Sequence, residues 1–348
     1  MTVQDDRILC LQGAPRQVGL SAGRALGEKL GRTIQHYISS QEPYTDMQKL
    51  QQGALPWLHQ LPQRFQEELE GLAEGACLPL EWLAQWSFIE ECELRGCSGA
   101  VVLVEDQAWV ARNNDTYVPE LWGYASIREI KGRIPTINFS MEGDVFTPTG
   151  LNCEKLWLHY NFLEVRDAPA PGKPHLPAFV WLTEALETCS SIRQVEALLN
   201  ETDRDSGMLL FAVDGKTNEF ALFECLCSQH YRRDPQDGWI VGTNHFCAVD
   251  DPTLDEDDHP LSTTRRFRRM EDMVLELVRK PKISSLPGDL IRMLADDGIE
   301  RREGRVVTAY ANVACPASGE MWYTFGGYPA ASRGNWQRLE WPWGELTY

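Results

Sequence analysis

Apolar residues recur at helical spacing along residues 16–38 and again along 64–78, where Phe65, Leu69, Leu72 and Ala76 form one stripe. The stretch Pro43-Tyr-Thr-Asp46 breaks the pattern between them. Residues 1–96 therefore read as mainly helical. At Cys97 the texture changes. Residues 98–104 are apolar and β-branched, and residues 108–113 resume the run after Glu105-Asp106-Gln107, which predicts a β-hairpin with a three-residue loop. Strand-like pieces follow at 124–130, 135–141 and 156–162. Residues 167–177 are Pro-rich and predict a loop, with two helices between Pro177 and Asn200. Strands are expected at 208–213, 219–227 and 238–243, helices at 262–280 and 286–296, and final strands at 305–315 and 321–325.

Strands and helices thus come in separate runs rather than in strict alternation. That favours an α+β layered fold, sheets covered by helices, over a doubly wound parallel sheet. The natural division is a helical segment over 1–96 and a second unit over 97–348. Ile240-Val-Gly-Thr-Asn-His-Phe246 and Thr149-Gly-Leu-Asn152 fall at strand ends, where polar site residues are often held.

With 43% hydrophobic and 24% charged residues, the 348-residue chain has the profile of a soluble globular protein. No apolar run approaches the roughly 18 residues of a membrane span, and the start lacks the apolar stretch of a signal peptide. Neither a membrane partner nor export is expected, and the chain reads as cytoplasmic. A net charge of −18 argues against a nucleic-acid partner. The one basic cluster, Arg265-Arg-Phe-Arg-Arg269, follows an acidic run and reads as local charge compensation. Ten cysteines include no CxxC pair, so no structural zinc is expected. Cys225 and Cys227, near His230, come closest to a metal cluster, but strand alternation makes them buried structural thiols. In a reducing compartment most thiols stay free, and the question is which one reacts.

With a loop of 105–107, hairpin partners sum to 212, so Cys97 would face Asp115, with Cβ atoms about 4.5–5.5 Å apart. A bulge would shift this by one residue. A carboxylate does not activate a thiol by itself, since a negative neighbour raises a thiol pKa. It can hold an ammonium group, which suits a cysteine whose own α-amine is free.

At this point a family resemblance becomes specific. Gly96-Cys97-Ser98 entering a hairpin, then Arg112-Asn-Asn-Asp115, resembles the nucleophile region of the penicillin acyltransferase family (acyl-CoA:6-aminopenicillanic acid acyltransferase and its relatives), a group of N-terminal-nucleophile hydrolases. Arg112-x-x-Asp115 is also similar to the Arg-Asn-x-Asp of the related choloylglycine hydrolases. Residues 13–23 resemble the family's opening strand and Gly-rich helix entry. Residues 67–78 resemble its pre-cleavage helix, Gly242-Thr-Asn-His-Phe246 its Asn-His-Phe segment, and residues 262–269 its Ser/Thr-x-Arg-Phe/Tyr-x-Arg element. These pieces come in order and cover most of the chain.

The resemblance implies a four-layer αββα sandwich whose chain cuts itself between Gly96 and Cys97 into two fragments that stay associated. A glycine there eases the strained turn that attack requires. Cys97 would be the nucleophile and its freed α-amine the general base, with a reference pKa of about 7.7–8.0. Asp115 would orient the amine, Asn244 would donate to the oxyanion, and the backbone amide of Asn161 would be a second oxyanion donor. Arg112 resembles the choloylglycine-hydrolase arginine near the nucleophile, and Arg266 matches the family's second arginine, with Arg265 one residue away. The substrate would be a small non-peptide amide or an acyl thioester, with no cofactor and no metal. Hydrolysis against acyl transfer, and further oligomerisation, stay open.

Three rivals remain. Gly19-Leu-Ser-Ala-Gly23 matches the G-x-S-x-G elbow of serine hydrolases with Ser21 as nucleophile, but the preceding run is short and contains Pro15. A papain-like Cys97–His245 pair would need the cysteine at a helix N-terminus. A non-catalytic binding protein on the same fold predicts an uncut chain. The acidic run Asp250-Asp-Pro-Thr-Leu-Asp-Glu-Asp-Asp258 begins six residues after Asn244, which places it near the site mouth and suggests a cationic amine in the substrate; the bland alternative is a solvated loop.

Overall fold

The computed structural model describes residues 7–92, 96–249, 262–279 and 285–344. The acidic run 250–258 lies outside the described residues.

The chain opens with β1 (Ile8–Gly13), then α1 (Pro15–Leu26), α2 (Glu28–Gln41), α3 (Met47–Leu58), α4 (Gln63–Ala76) and α5 (Leu80–Cys92). The stripe over 16–38 is two helices rather than one. Gly27 takes φ +52°, its N–H closes onto Gly23 O at 2.8 Å, and α2 starts afresh beyond it. Asp46 ends the break: its carboxylate accepts from the N–H groups of Gln48 and Lys49, both at 3.1 Å, and caps α3. The strands β2 (Gly96–Val104), β3 (Gln107–Thr116), β4 (Trp122–Ile130), β5 (Thr136–Met141), β6 (Thr149–Asn152), β7 (Leu156–Leu163) and the short β8 (His175–Leu176) follow. Then come α6 (Ala178–Thr188), α7 (Ile192–Glu201), β9 (Asp203–Arg204), β10 (Gly207–Asp214), β11 (Glu219–Cys225), β12 (His230–Arg233) and β13 (Trp239–Gly242). The last elements are α8 (Thr263–Val278), α9 (Gly288–Leu294), β14 (Val307–Cys315), β15 (Glu320–Phe325), α10 (Ala330–Arg333) and β16 (Asn335–Leu339).

These strands build an eight-stranded sheet, β1-β4-β5-β6-β7-β10-β11-β12, and a six-stranded sheet, β13-β2-β3-β14-β15-β16. The sheets stack. Along β2, alternation sends Gly99 and Val101 toward the eight-stranded sheet, where a Cβ on Gly99 would meet His159 and Phe211. It sends Ala100 and Val102 into a second core beneath α8 and α9, with Met270, Val274 and Leu290. On the far side, α6 and α7 cover the eight-stranded sheet, with Tyr160 of β7 meeting Phe179 of α6 edge-on. The result is the expected αββα sandwich.

The helical N-terminal segment is not a separate module. Its first element, β1, pairs in parallel with β4 and so belongs to the eight-stranded sheet. Its α4 extends the outer helix layer: buried Arg64 donates to Glu68 at 2.6 Å and to Glu187 of α6, and Glu68 also pairs with Arg128 of β4. Burial lowers the Arg64 pKa to about 9.

The G-x-S-x-G match has another explanation. Ser21 is exposed in the middle of α1, not at a strand-to-helix elbow. The flanking glycines are where α1 crosses α4. A Cβ on Gly19 would lie 2.0 Å from Glu68 O and one on Gly23 2.4 Å from Leu72 O, while Gly71 and Gly75 of α4 press as closely on Arg16 O and Leu20 O. Glycine on both helices allows backbone-to-backbone contact there.

Candidate active site

Four elements converge at the open end of the β2–β3 hairpin. The hairpin loop has two residues, not three. Glu105 and Asp106 take φ +49° and +60°, the left-handed pair of a tight hairpin turn. Val104 therefore pairs with Gln107, Cys97 with Asn114 and Gly96 with Asp115, a shift of one residue from the expected register. A one-residue shift exchanges the faces. Cys97, Arg112 and Asn114 point between the sheets, while Ser98, Asn113 and Asp115 point toward α8 and α9.

On the inner face the Cys97 thiol is fully buried, 3.7 Å from Asn114 Oδ1 and 3.7 Å from Nη2 of Arg112. Arg112 is itself buried. It donates to Asn114 Oδ1 at 2.9 Å, to the carbonyls of Tyr160 (2.6 Å) and Pro148 (2.9 Å), and to the Tyr310 hydroxyl at 3.2 Å. Cys97 lies inside a strand and not at a helix N-terminus, which removes the papain-like geometry. His245 instead meets the hydroxyls of Thr243 and Thr263 through Nδ1.

On the outer face Asp115 accepts from Thr308 Oγ1 at 2.7 Å, and its second oxygen lies 3.6 Å from Arg266 Nη1. Burial raises the Asp115 carboxyl, against the pull of Arg266 and Arg301; burial likewise lowers Arg266. A bulge in β14 makes this two-faced arrangement: Thr308 pairs with Asp115 and Tyr310 with Asn114, so Ala309 is the extra residue. Thr308 thereby serves the outer face and Tyr310 the inner one.

Ser262 caps α8 through its hydroxyl, accepting from Arg265 N at 3.3 Å, and so sets the helix phase. That phase exposes Arg265 and buries Arg266. Arg266 donates to Cys97 O and Ser98 Oγ, both at 2.7 Å, and to Asn244 Oδ1 at 2.8 Å. Of these two neighbours on α8, Arg266 is the one that reaches Cys97.

Asn244 makes the contact expected of Asp115, and Asn161 is placed differently from expectation. Cys97 N–H donates to Asn244 Oδ1 at 2.9 Å, so Asn244 rather than Asp115 meets this nitrogen, while Asn244 Nδ2 donates to Phe162 O at 2.8 Å. The side-chain amide of Asn161 donates to the carbonyls of Gly242 (3.3 Å) and Thr243 (2.9 Å), tying β7 to the end of β13. Its backbone amide is turned away. Successive amides along a strand alternate in direction; that of Tyr160 reaches Pro148 O, so that of Asn161 points into the ladder with β10, opposite Leu209. The expected backbone oxyanion donor is therefore used by the sheet.

Sequence reasoning missed Asn114, Thr308, Tyr310 and Arg301. A two-residue loop would have revealed Asn114, and no local signal marks the other three. Gly96 is not in a left-handed conformation. Its missing side chain makes room: a Cβ would lie 3.3 Å from Arg301 Cδ and Nη1 and 3.4 Å from Asp115 Cβ. Cys225 and Cys227 are buried and pushed up to about 12 by desolvation, as inert structural thiols are. Among the described residues no helix is long and apolar enough to cross a membrane.

No protein-family model matches the chain, and no curated protein matches it in sequence. Solved structures do match in fold. A mutant of the conjugated bile acid hydrolase from Clostridium perfringens aligns at TM-score 0.50 and 13% identity, over 71% of this chain and 97% of that one. Penicillin V acylase from Agrobacterium tumefaciens aligns at TM-score 0.50 and 14% identity, over 70% and 86%. The chain shares stacked, helix-flanked sheets with these two structures.

Proposed function

We propose that this chain is a self-cleaving cysteine amidohydrolase or acyltransferase on the fold it shares with the bile acid hydrolase and the penicillin acylase. The observation that carries this reading is the buried Cys97, held by its nitrogen, carbonyl and thiol at once. A cysteine that merely packs in a core needs none of these polar contacts.

In the first reaction the thiol attacks the Gly96 carbonyl. The Gly96–Cys97 amide bond breaks, its nitrogen takes the thiol proton, and a thioester forms. Water then hydrolyses the thioester, leaving a Gly96 carboxylate, a free thiol and a free α-amine. In turnover the α-amine takes the thiol proton and sulfur attacks a substrate amide or thioester. The leaving group departs with that proton, and water or an amine acceptor takes the acyl group from Cys97.

Asn244 Oδ1 receives the α-amine, because it already receives the amide that becomes it. Arg266 fixes the Cys97 carbonyl and links Asn244 to Asp115, whose carboxylate balances the buried cations. Arg112 places positive charge beside the sulfur as negative charge develops in the transition state. Asn244 Nδ2 serves as oxyanion donor by exchanging the Phe162 carbonyl for the substrate oxygen. Asn161 is a positioning residue that holds residues 242–244.

The test is a denaturing gel with N-terminal sequencing, followed by intact mass after incubation with amides and acyl thioesters. Fragments of about 96 and 252 residues are expected, the second beginning Cys-Ser-Gly-Ala-Val, with an acyl adduct on Cys97. Cys97→Ala stays whole and inactive. Cys97→Ser cuts slowly and loses most turnover, since a hydroxyl is the poorer nucleophile at neutral pH. An uncut, fully active wild-type chain would exclude the reading.

A further inference from the structure

Arg301 is half-buried beside the Gly96–Cys97 bond, and among the described residues its side chain makes no hydrogen bond or ion pair. Its Nε is buried with no partner. Of the nearby carboxylates, Glu300 binds Arg302 and the Ser332 amide, and Asp115, although it feels the charge of Arg301, binds Thr308 and faces Arg266. Four residues on, Arg305 is stacked between the rings of Tyr44 (3.3 Å to the centroid) and Tyr117 (4.0 Å) and donates to Gln41. It too pairs with no carboxylate among the described residues. Two arginines on one loop with no carboxylate at salt-bridge distance among the described residues stand out in a chain with 51 acidic and 33 basic residues. Arg305, Tyr44, Tyr117, Phe88 and Ile89 line an open cleft of about 980 Å³, counting the solvent at its mouth. Tyr117 lies two residues along the chain from Asp115, the partner of Gly96.

The first amide the Cys97 thiol meets is the chain's own, and its acyl half is Gly96. The groups around Gly96 Cα therefore mark the surroundings of the carbon next to a substrate's acyl carbonyl. A substituent there would point at Arg301 Nη1 from 3.3 Å. We propose that Arg301 is a carboxylate receptor on the acyl side of the site, and that the preferred acyl donors are amides or thioesters of acids with a second carboxylate, such as short dicarboxylic acids. This rests on Cys97 as the nucleophile. The guanidinium fork matches a carboxylate, and a half-buried position screens the pair less than open solvent does.

The experiment uses the mature protein and two donors of equal length, N-succinyl-4-nitroanilide and its neutral terminal carboxamide. The acid is expected to have about tenfold higher kcat/KM at low salt, the scale of one charge-assisted hydrogen bond. Arg301→Gln brings the ratio near unity, Arg301→Lys restores part of it, and salt reduces it in the wild type. Calorimetric binding of glutarate is measured alongside and is lost in Arg301→Gln. Equal turnover of the two donors, or a preference that survives Arg301→Gln, overturns the proposal. Should Arg301→Gln not fold, an acid preference in the wild type unmoved by 1 M salt, roughly a 3 Å screening length, overturns it instead. If no amide is turned over at all, the nucleophile assignment fails. Glutarate binding then decides Arg301 separately: loss in the variant supports the receptor, and absent or unchanged binding refutes it.

Discussion

The backbone nitrogen of Cys97 donates to the side-chain oxygen of Asn244, 147 residues away, at 2.9 Å. The same oxygen accepts from Arg266, and the other end of the Asn244 amide donates to Phe162 O. Three partners thus fix which way the amide points, and the nitrogen that would become the general base is held before any bond is cut.

Asn244→Ala is therefore expected to lower kcat by about 10²–10³ if Nδ2 turns to the oxyanion. Asn244→Asp keeps the acceptor for Cys97 N and Arg266 but loses the donor. It should still cut itself while turning over amides as poorly as the alanine variant. A change confined to KM in both variants would make Asn244 a binding residue only.

After self-cleavage the two fragments should co-elute on a sizing column without denaturant. β1 is hydrogen-bonded into the eight-stranded sheet, and buried Glu68 of the smaller fragment pairs with Arg128 of the larger. Glu68→Gln leaves Arg128 and Arg64 short of a counter-charge in the interior. Breaking a buried pair in this way costs about 3–5 kcal/mol. A lower urea midpoint for fragment separation is the expected readout, and an unchanged midpoint would show that the network contributes nothing to the junction.

His159 gives the fold a pH dependence. It is fully buried, stacked on Phe211 at 4.3 Å between ring centroids, and its Nδ1 accepts from the Trp157 indole at 2.9 Å. Burial, helped by Arg112, lowers its pKa well below the usual 6.5. The unfolded chain takes up a proton near pH 6.5 that the folded chain refuses. Stability from this group is therefore full above that pH and falls as pH drops below it, by at most about 1.4 kcal/mol per pH unit. His159→Phe keeps the ring and should flatten urea-unfolding stability between pH 7 and 5. An equally steep profile in the variant would assign the dependence to other groups.

Ser21→Ala should leave any activity intact, since Ser21 is exposed in mid-helix. Gly23→Ala should instead destabilise by roughly 1–3 kcal/mol, as overpacking does, because the new Cβ would meet Leu72 O at 2.4 Å. Melting temperatures of the two variants, with turnover of each measured well below melting, separate the packing role from a catalytic one.

Hydrophobic period and local chemistry were enough to place most elements. The change from helical spacing to a β-branched run marks β2, and separate runs of strands and helices give α+β layering. Those signals are local, and so is the capping serine Ser262 before α8. What the chain could not show is anything fixed by contact between distant segments. Glu105 and Asp106 adopt left-handed backbone that their residue types do not announce, and that one turn moved Cys97 from Asp115 to Asn114. The choice of Arg266 over Arg265 follows from helix phase against β2, and the meeting of Tyr310 with Arg112 from a bulge in a strand some two hundred residues away. The edge strands β12 and β16 escaped notice because short strands owe their pairing to a neighbour, not to their own pattern. Residue types and periodicity set the layers; only the packed fold, where buried polar groups must find partners, decided which side chains surround the thiol.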